Sequence, residues 1–465
     1  MELSPHLPGR GLRAACVMVA CLAACGCGRL HQKDIATDAL DPNNLSDTEP
    51  SIAVNPKDPR DIAIVTFSEN WSATSSAPVW KSSDRGETWR KVAQIAQPSP
   101  VLFGPSDQKI DYDEDGKLYV AELGQGGSGI TDFVFRQTGA PDGPLTPGAG
   151  YGNDQPHLSV DRGHSSPRRG QLYSPWLDFS QPRERSTVAW SSNQGVAMNS
   201  VGAGDNSSFP DRTTRIAICP DGKAYIVYKA REGTTGAPAG FENVHFRVNR
   251  SDDGGATWGG LGAAGVSVHG APQVATYMTL TFGNPAKGKV ARARSSDAWI
   301  ACDPRNGDVY VAHVSRDSST LAQLYVARSS DQGATWTSVR ITNGTHNSAY
   351  PEIAVTGRGV VGVLYIDYDD SGAATLFRHH FTRSFDRGAS WNDDETLQSM
   401  DPGPIGNAAS GFLWGDYEGL TAVRNAFYGV YTGESSGRAV LQLDPIFFRQ
   451  KSCGFWWFHC WLERD

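Results

Sequence analysis

The chain has 465 residues, of which 39% are hydrophobic and 20% charged, with 51 glycines, 27 prolines and a formal net charge of −8. That is enough apolar content for one large core and too much for wholesale disorder. The negative balance argues against a general phosphate-backbone binder, so no nucleic-acid partner is expected, and the surplus of glycine predicts a turn-rich fold.

The N-terminus reads as an address. Arg10 and Arg13 precede an apolar run from Ala14 to Ala24, which is too short to span a bilayer as a stop-transfer helix. The run ends in Leu22-Ala23-Ala24-Cys25-Gly26, which resembles a bacterial lipobox. The resemblance implies a signal peptide over 1–24, a lipidated Cys25 and an anchor linker over 25–48. It also implies an extracytoplasmic location, with the outer membrane favoured because no Asp follows Cys25. An ordinary secretory signal is the alternative.

Self-similarity dominates the rest. Four segments share the pattern Ser-x-Asp-x-Gly-x-Thr/Ser-Trp. They are Ser82 to Trp89, built on Asp84 and Gly86, and Ser251 to Trp258, built on Asp253 and Gly255. The others are Ser329 to Trp336, with Asp331 and Gly333, and Ser384 to Trp391, with Asp386 and Gly388. A degenerate copy runs from Ser191 to Gly195. Such a pattern suits a tight hairpin: Asp accepts backbone N–H groups, Gly supplies positive φ, and Trp packs between sheets.

A second repeat is a short apolar strand preceding a turn and another β-rich run. Its seven copies are Ser51-Ile52-Ala53-Val54, Lys109-Ile110-Asp111-Tyr112, His157-Leu158-Ser159-Val160, Arg215-Ile216-Ala217-Ile218, Trp299-Ile300-Ala301-Cys302, Glu352-Ile353-Ala354-Val355 and Glu418-Gly419-Leu420-Thr421. No stretch after the signal holds a helical period. The sequence therefore predicts an all-β chain, a β-propeller of seven four-stranded blades over 49–450, with six blades as the alternative. The seventh blade lacks a clear fourth strand, and either residues near 33–48 or the C-terminal tail would close it.

The Ser-x-Asp-x-Gly-x-Thr/Ser-Trp repeats resemble the Asp-box (bacterial neuraminidase) repeat. Together with the propeller periodicity and the segment Trp414-Gly415-Asp416-Tyr417-Glu418-Gly419-Leu420, they make the chain similar to secreted bacterial proteins of the sialidase superfamily. The resemblance covers nearly all of 45–450. It implies a Tyr nucleophile paired with a Glu, an Asp acid/base and three Arg gripping a carboxylate. Carried onto this chain, it makes Asp107, Arg215, Glu352, Tyr417 and Glu418 the candidate catalytic set, at an acidic channel mouth. Adjacent strand residues point to opposite faces, so Glu352 or Glu122 is a better partner for Tyr417 than Glu418. The first blade lacks the Arg expected there, and Arg212, Arg292 and Arg294 are the other candidates for the triad. The reading implied is recognition and hydrolysis of glycans by a monomer; the alternative is a non-catalytic scaffold binding an envelope protein.

No cofactor is required by this reading. Asp111, Asp113 and Asp115, followed by Gly116, resemble a Ca²⁺ loop and would hold Ca²⁺, while the alignment with Asp221-Gly222-Lys223 reads them as an ordinary hairpin turn. Cys453 and Cys460 close a short loop and are expected to pair in an oxidising compartment. Cys219 and Cys302 sit in apolar runs and read as buried thiols, a disulfide between them being the alternative. Residues 259–292 read as a lid or a surface loop, and the aromatic tail over 451–465 as a closure of the last blade.

Overall fold

The computed structural model describes residues 30–37, 40, 47–68, 76–96, 101–126, 129–139, 142–181, 184–204, 211–233, 241–269, 273–276, 280–282, 291–293, 298–316, 321–368, 377–400, 417–434 and 443–452. Among them there is no helix. The strands form seven four-stranded antiparallel blades of a β-propeller, as the repeats predict.

Blade 1 is Asp47–Val54, Ile62–Ser68, Ser76–Ser82 and Arg90–Ala96. Blade 2 is Val101–Tyr112, Leu118–Gly126, Gly129–Gln137 and Leu145–Gly152, and blade 3 is Ser159–Val160, Leu172–Asp178, Arg185–Ser191 and Asn199–Gly202. Blade 4 takes Asp211–Ile218, Ala224–Gly233, Phe241–Ser251 and Val266–Ser267; blade 5 takes Ala298–Cys302, Val309–Arg316, Ala322–Ser329 and Thr337–Arg340. Blade 6 is Asn347–Val355, Val361–Tyr368, Phe377–Ser384 and Asp393–Met400. Blade 7 consists of Gly419–Val423, Ala426–Glu434, Leu443–Lys451 and the N-terminal strand His31–Asp34, which pairs with Ile446 to Arg449. The closing strand thus comes from the stretch expected as anchor linker. Pairing the chain's start with its end leaves the ring without an open seam, the usual answer to exposed sheet edges.

The core lies between blades. Seven apolar clusters fill the seven seams, for example Tyr119, Ala121 and Val134 of blade 2 against Leu158, Val160 and Leu172 of blade 3. Each Ser-x-Asp-x-Gly turn joins the third strand of its blade to the fourth and satisfies itself. In blade 1, Ser82 Oγ donates to Asp84 Oδ1 (2.8 Å) and accepts from Gly86 N (2.8 Å), while Thr88 N donates to Asp84 Oδ1 (2.9 Å). Asp253, Asp331 and Asp386 repeat these bonds, and Asn193 of the degenerate copy accepts from Ser191 and Ala197 in the same way. The glycines take φ near +85°, and a Cβ on Gly86 would stand 2.1 Å from the Phe447 ring of blade 7. Trp89 meets the same ring edge-on at 5.2 Å, while Trp258, Trp336 and Trp391 pack against the clusters of their own seams.

Two expectations change. Cys219 and Cys302 are disulfide-bonded rather than buried thiols, because the ends of the neighbouring first strands of blades 4 and 5 bring their Cα atoms to 5.4 Å. The 259–292 segment is not simply a loop: Gln273–Thr276 pairs with the third strand of blade 4 and touches blade 5 at Arg316, and Leu280–Phe282 pairs with Ala291–Ala293. Cys25, Cys453, Cys460 and the rest of the tail from 453 to 465 lie outside the described residues.

Candidate functional site at the channel mouth

A repeated backbone device positions the site. Just before the apolar core of the first strand, the backbone turns left-handed at Glu49 (φ 51°), Asp107 (50°), Gln155 (48°) and Tyr350 (50°). The strand register slips at three of these positions, between Thr48 and Ser51, Ser106 and Lys109, and Ala349 and Glu352, and between Arg212 and Arg215 in blade 4. Left-handed non-glycine residues cost about 1–3 kcal/mol each and tend to gather where they place functional groups. These left-handed residues and register slips precede the first residue of the repeat in blades 1, 2, 3, 4 and 6, and that column supplies one residue per blade around the channel. The seven are Ser51, Lys109, His157, Arg215, Trp299, Glu352 and Glu418, the first column of the second sequence repeat; six of them line the channel cavity, of about 220 Å³.

The ring itself is mixed in charge, with the carboxylates of Glu49 and Asp107 close by. Two of its seven positions are cations and two are carboxylic acids. Lys109 is buried, its ammonium 3.3 Å from the centroid of the Tyr417 ring and 4.6 Å from that of Trp299. Arg215 is buried as well and lies 4.8 Å from Trp299 and 6.0 Å from Tyr417, with one guanidinium N–H donating to Thr214 O at 3.1 Å. His157 meets Trp299 edge-on at 5.2 Å. An aromatic face attracts a cation through its quadrupole, so Trp299 and Tyr417 form the floor on which both cations rest. Burial drives Lys109 down to about 7; the carboxylates of Glu352, Glu49 and Asp107 counter that fall, and Arg215 adds to it. Burial, with the charges of Arg215 and Lys109, also holds His157 neutral.

The expected catalytic residues separate into two groups. Arg215, Glu352 and Tyr417 converge on Lys109. Asp107 is near enough to act on Lys109 through its charge, but its backbone is the bulge itself. Tyr417 is buried, and its hydroxyl donates to the Gln108 carbonyl at 3.4 Å. Glu418 follows Tyr417 in the strand and lines the channel near Glu352 and Lys109, but its oxygens are engaged in blades 6 and 7. Its Oε2 accepts from Thr432 N at 2.7 Å and its Oε1 lies 3.3 Å from His379 Nε2. Burial raises Glu418 and, with the charge of His380, pushes His379 down to about 3. Glu122 is fully buried in blade 2, where its charge acts on Tyr151. The side chains of Arg212 and Arg292, and Arg294, Trp414 and Asp416 altogether, lie outside what is described.

Lys109, Trp299 and His379 were missed as site residues. The signal for the first two stood in the repeat alignment: one column varies without restraint beside columns that stay apolar. His379 carries no such signal.

The three carboxylates of the expected Ca²⁺ loop face different partners. Asp111 pairs with Arg162 of blade 3 and accepts from Val160 N (2.9 Å), Asp113 accepts from Asp115 N and Lys117 N (2.9 Å each), and Asp115 pairs with Lys57 (2.7 Å). Among the described residues no group of three His, Cys, Asp or Glu is placed to hold a metal. The geometry is that of a hairpin turn tied to its neighbours.

Neither a family model nor a curated protein sequence matches the chain. Solved structures do. A PL25 ulvan lyase has a TM-score of 0.54 at 9% identity, with 91% of this chain and 97% of that one aligned. The same lyase bound to -[GlcA(1-4)Rha3S]- scores 0.53 at 9% identity with the same coverage. The phage phi92 endosialidase is also similar, with TM-score 0.47 and 11% identity over 94% of this chain and 70% of that one. At 9% identity the likeness to the lyase establishes a shared fold.

Proposed function

We propose that the protein is a lipid-anchored, extracytoplasmic, sialidase-like propeller that binds a glycan at the channel mouth and carries acid–base groups able to cleave it. The observation that carries this reading is the packing of Lys109 and Arg215 against Trp299 and Tyr417, beside Glu352. Aromatic faces stack on sugar rings, and the forked guanidinium of Arg215 is a partner for a carboxylate or a developing oxyanion. Lys109, near 7, exchanges a proton at neutral pH, and Glu352 beside it supplies a second titratable group. The ulvan lyase similar in fold is bound to a uronate-containing saccharide, which agrees with a cation-bearing mouth. The Cys219–Cys302 disulfide suits an oxidising compartment and so favours export.

The test is a panel of fluorogenic exo-glycosides, sialosides included, and a uronate polysaccharide followed by the absorbance of an unsaturated product. Release from one substrate, lost in Tyr417→Phe and Lys109→Met, is the expected result. A second reading, a non-catalytic scaffold for an envelope protein, is favoured by the near-complete burial of Arg215, Lys109, Glu352 and Glu418; it wins if nothing is released and no glycan binds. The anchor has its own check: Cys25→Ser leaves the membrane fraction, and lipid still attached to that variant would refute the assignment.

A further inference from the structure

A second cavity, of about 220 Å³, lies away from the channel, at the seam of blades 5 and 6. No residue of the channel ring lines it. One water needs about 10–15 Å³ on this kind of measure, so the space admits a small organic molecule. Its wall is built from Ser348, Tyr365, Asp367, His380, Trp391 and Asp394.

The polar half of that wall is fixed. His380 stands between two carboxylates, with Nδ1 2.8 Å from Asp394 Oδ2 and Nε2 3.5 Å from Asp367 Oδ2. Arg378 Nε donates to Asp367 Oδ1 at 2.7 Å, and the Tyr365 hydroxyl donates to Asp394 Oδ1 at 3.1 Å. The Tyr365 ring stacks on the His380 imidazole at 5.0 Å. Hydrogen bonds and charge from Asp367 and Asp394 outweigh burial and hold His380 protonated up to about 9. Two carboxylates thus face two cations, and the wall has oriented acceptors without net charge.

The rest of the lining sets Trp391 and Ile341 beside the small polar side chains of Thr342, Asn343, Thr382 and Ser348 and the imidazole of His346. The Trp391 indole N–H is tied to Gly388 O at 3.1 Å, so its carbon surface is what remains for the cavity. Ser348 is fully buried on the lining, and its Oγ has no hydrogen-bond partner in the protein. A buried hydroxyl without a partner is uncommon and points to a group the protein does not supply. Asp394, with 41% of its side chain exposed, marks the way in.

We infer that this cavity is a second binding site, separate from the channel, for a neutral sugar unit. Aromatic carbon faces take the C–H side of a pyranose, ion-paired carboxylates accept from vicinal hydroxyls, and Ser348 pairs with a ring hydroxyl. An anionic sugar would meet Asp367 and Asp394, and a cationic ligand would meet His380 and Arg378. The site would hold a chain segment beside the one engaged at the channel, and it stands whether or not the channel is catalytic.

The experiment is saturation-transfer NMR on the full chain in detergent with methyl galactoside, methyl glucoside and methyl xyloside, glucuronate being the charged comparator. At least one neutral glycoside is expected to receive saturation, with glucuronate at least tenfold weaker. Ser348→Val, which fills the cavity, and Asn343→Ala, at its rim, should each weaken binding tenfold or more, while Arg60→Ala, on the exposed first hairpin of blade 1, leaves it unchanged. The rim variant keeps the test decisive if the buried one misfolds. No transfer to any neutral glycoside, equal binding of glucuronate, or binding lost in Lys109→Met but kept in Ser348→Val and Asn343→Ala would overturn the inference.

Discussion

The two ends of the blades are built on opposite principles. At the turn end, four hairpins use the same residues and bonds, and each Asp is satisfied within its own turn. At the mouth end, seven equivalent positions hold seven side chains of six different chemical kinds, and several are shifted far from their usual protonation. The turn end holds the ring together; it repeats because each blade poses the same packing problem. The mouth diverges because a site needs different groups aimed at one place. Residues that depart from local rules mark function better than residues that obey them.

The largest expected effect is at the mouth. If Lys109 moves a proton in catalysis, Lys109→Met lowers kcat/KM by about 10²–10⁴-fold. The wild-type rate should then rise as pH passes about 7, where Lys109 sheds its proton, and a profile flat through that region breaks the assignment. Next comes the staple at the turn end. Cys219→Ala with Cys302→Ala opens an 83-residue separation and is expected to cost about 4–5 kcal/mol, read as a lower unfolding midpoint. An unchanged midpoint would show that the seam of blades 4 and 5 stands on packing alone.

Gly86→Ala should cost about 2–4 kcal/mol, from left-handed strain plus the clash with Phe447. Gly388→Ala, whose Cβ would meet Tyr310 at 3.5 Å, should cost only the strain, so equal losses would contradict the packing described. pH then separates the two ends. His379 has a folded-state value of about 3, below its ordinary 6.5, so its neutral form stabilises the fold above 6.5 and that contribution fades as pH falls towards 3. Wild type should lose about 2 kcal/mol relative to His379→Phe between pH 6.5 and 5. Asp331, held near 2 by bonds from Thr335, contributes above 3.8 and loses that contribution only as pH falls through 2. The smallest effect is Asp331→Ala at neutral pH, about 1 kcal/mol.

Much of this molecule could be read from its residues. Ser82 to Trp89 and its copies specify a turn through bonds among neighbours in sequence, so composition and spacing suffice to predict them. Seven apolar first strands likewise imply seven seams, since a strand buried on both faces must pack against others. Even the ring was present as a column from Ser51 to Glu418. What no spacing reveals is which side chains meet across blades. Lys109 reaches Tyr417 from 308 positions away in sequence, and His379 reaches Glu418 across the seam of blades 6 and 7. Closure by His31–Asp34, the Cys219–Cys302 bond, the undoing of the Asp111–Asp115 loop by Arg162 and Lys57, and the mixed charge of the ring all depend on such meetings. Sequence alone determined the repeating unit, because hairpin bonds and alternation are local. Only the tertiary structure decided the site, because desolvation and through-space charge act between residues that the chain places far apart.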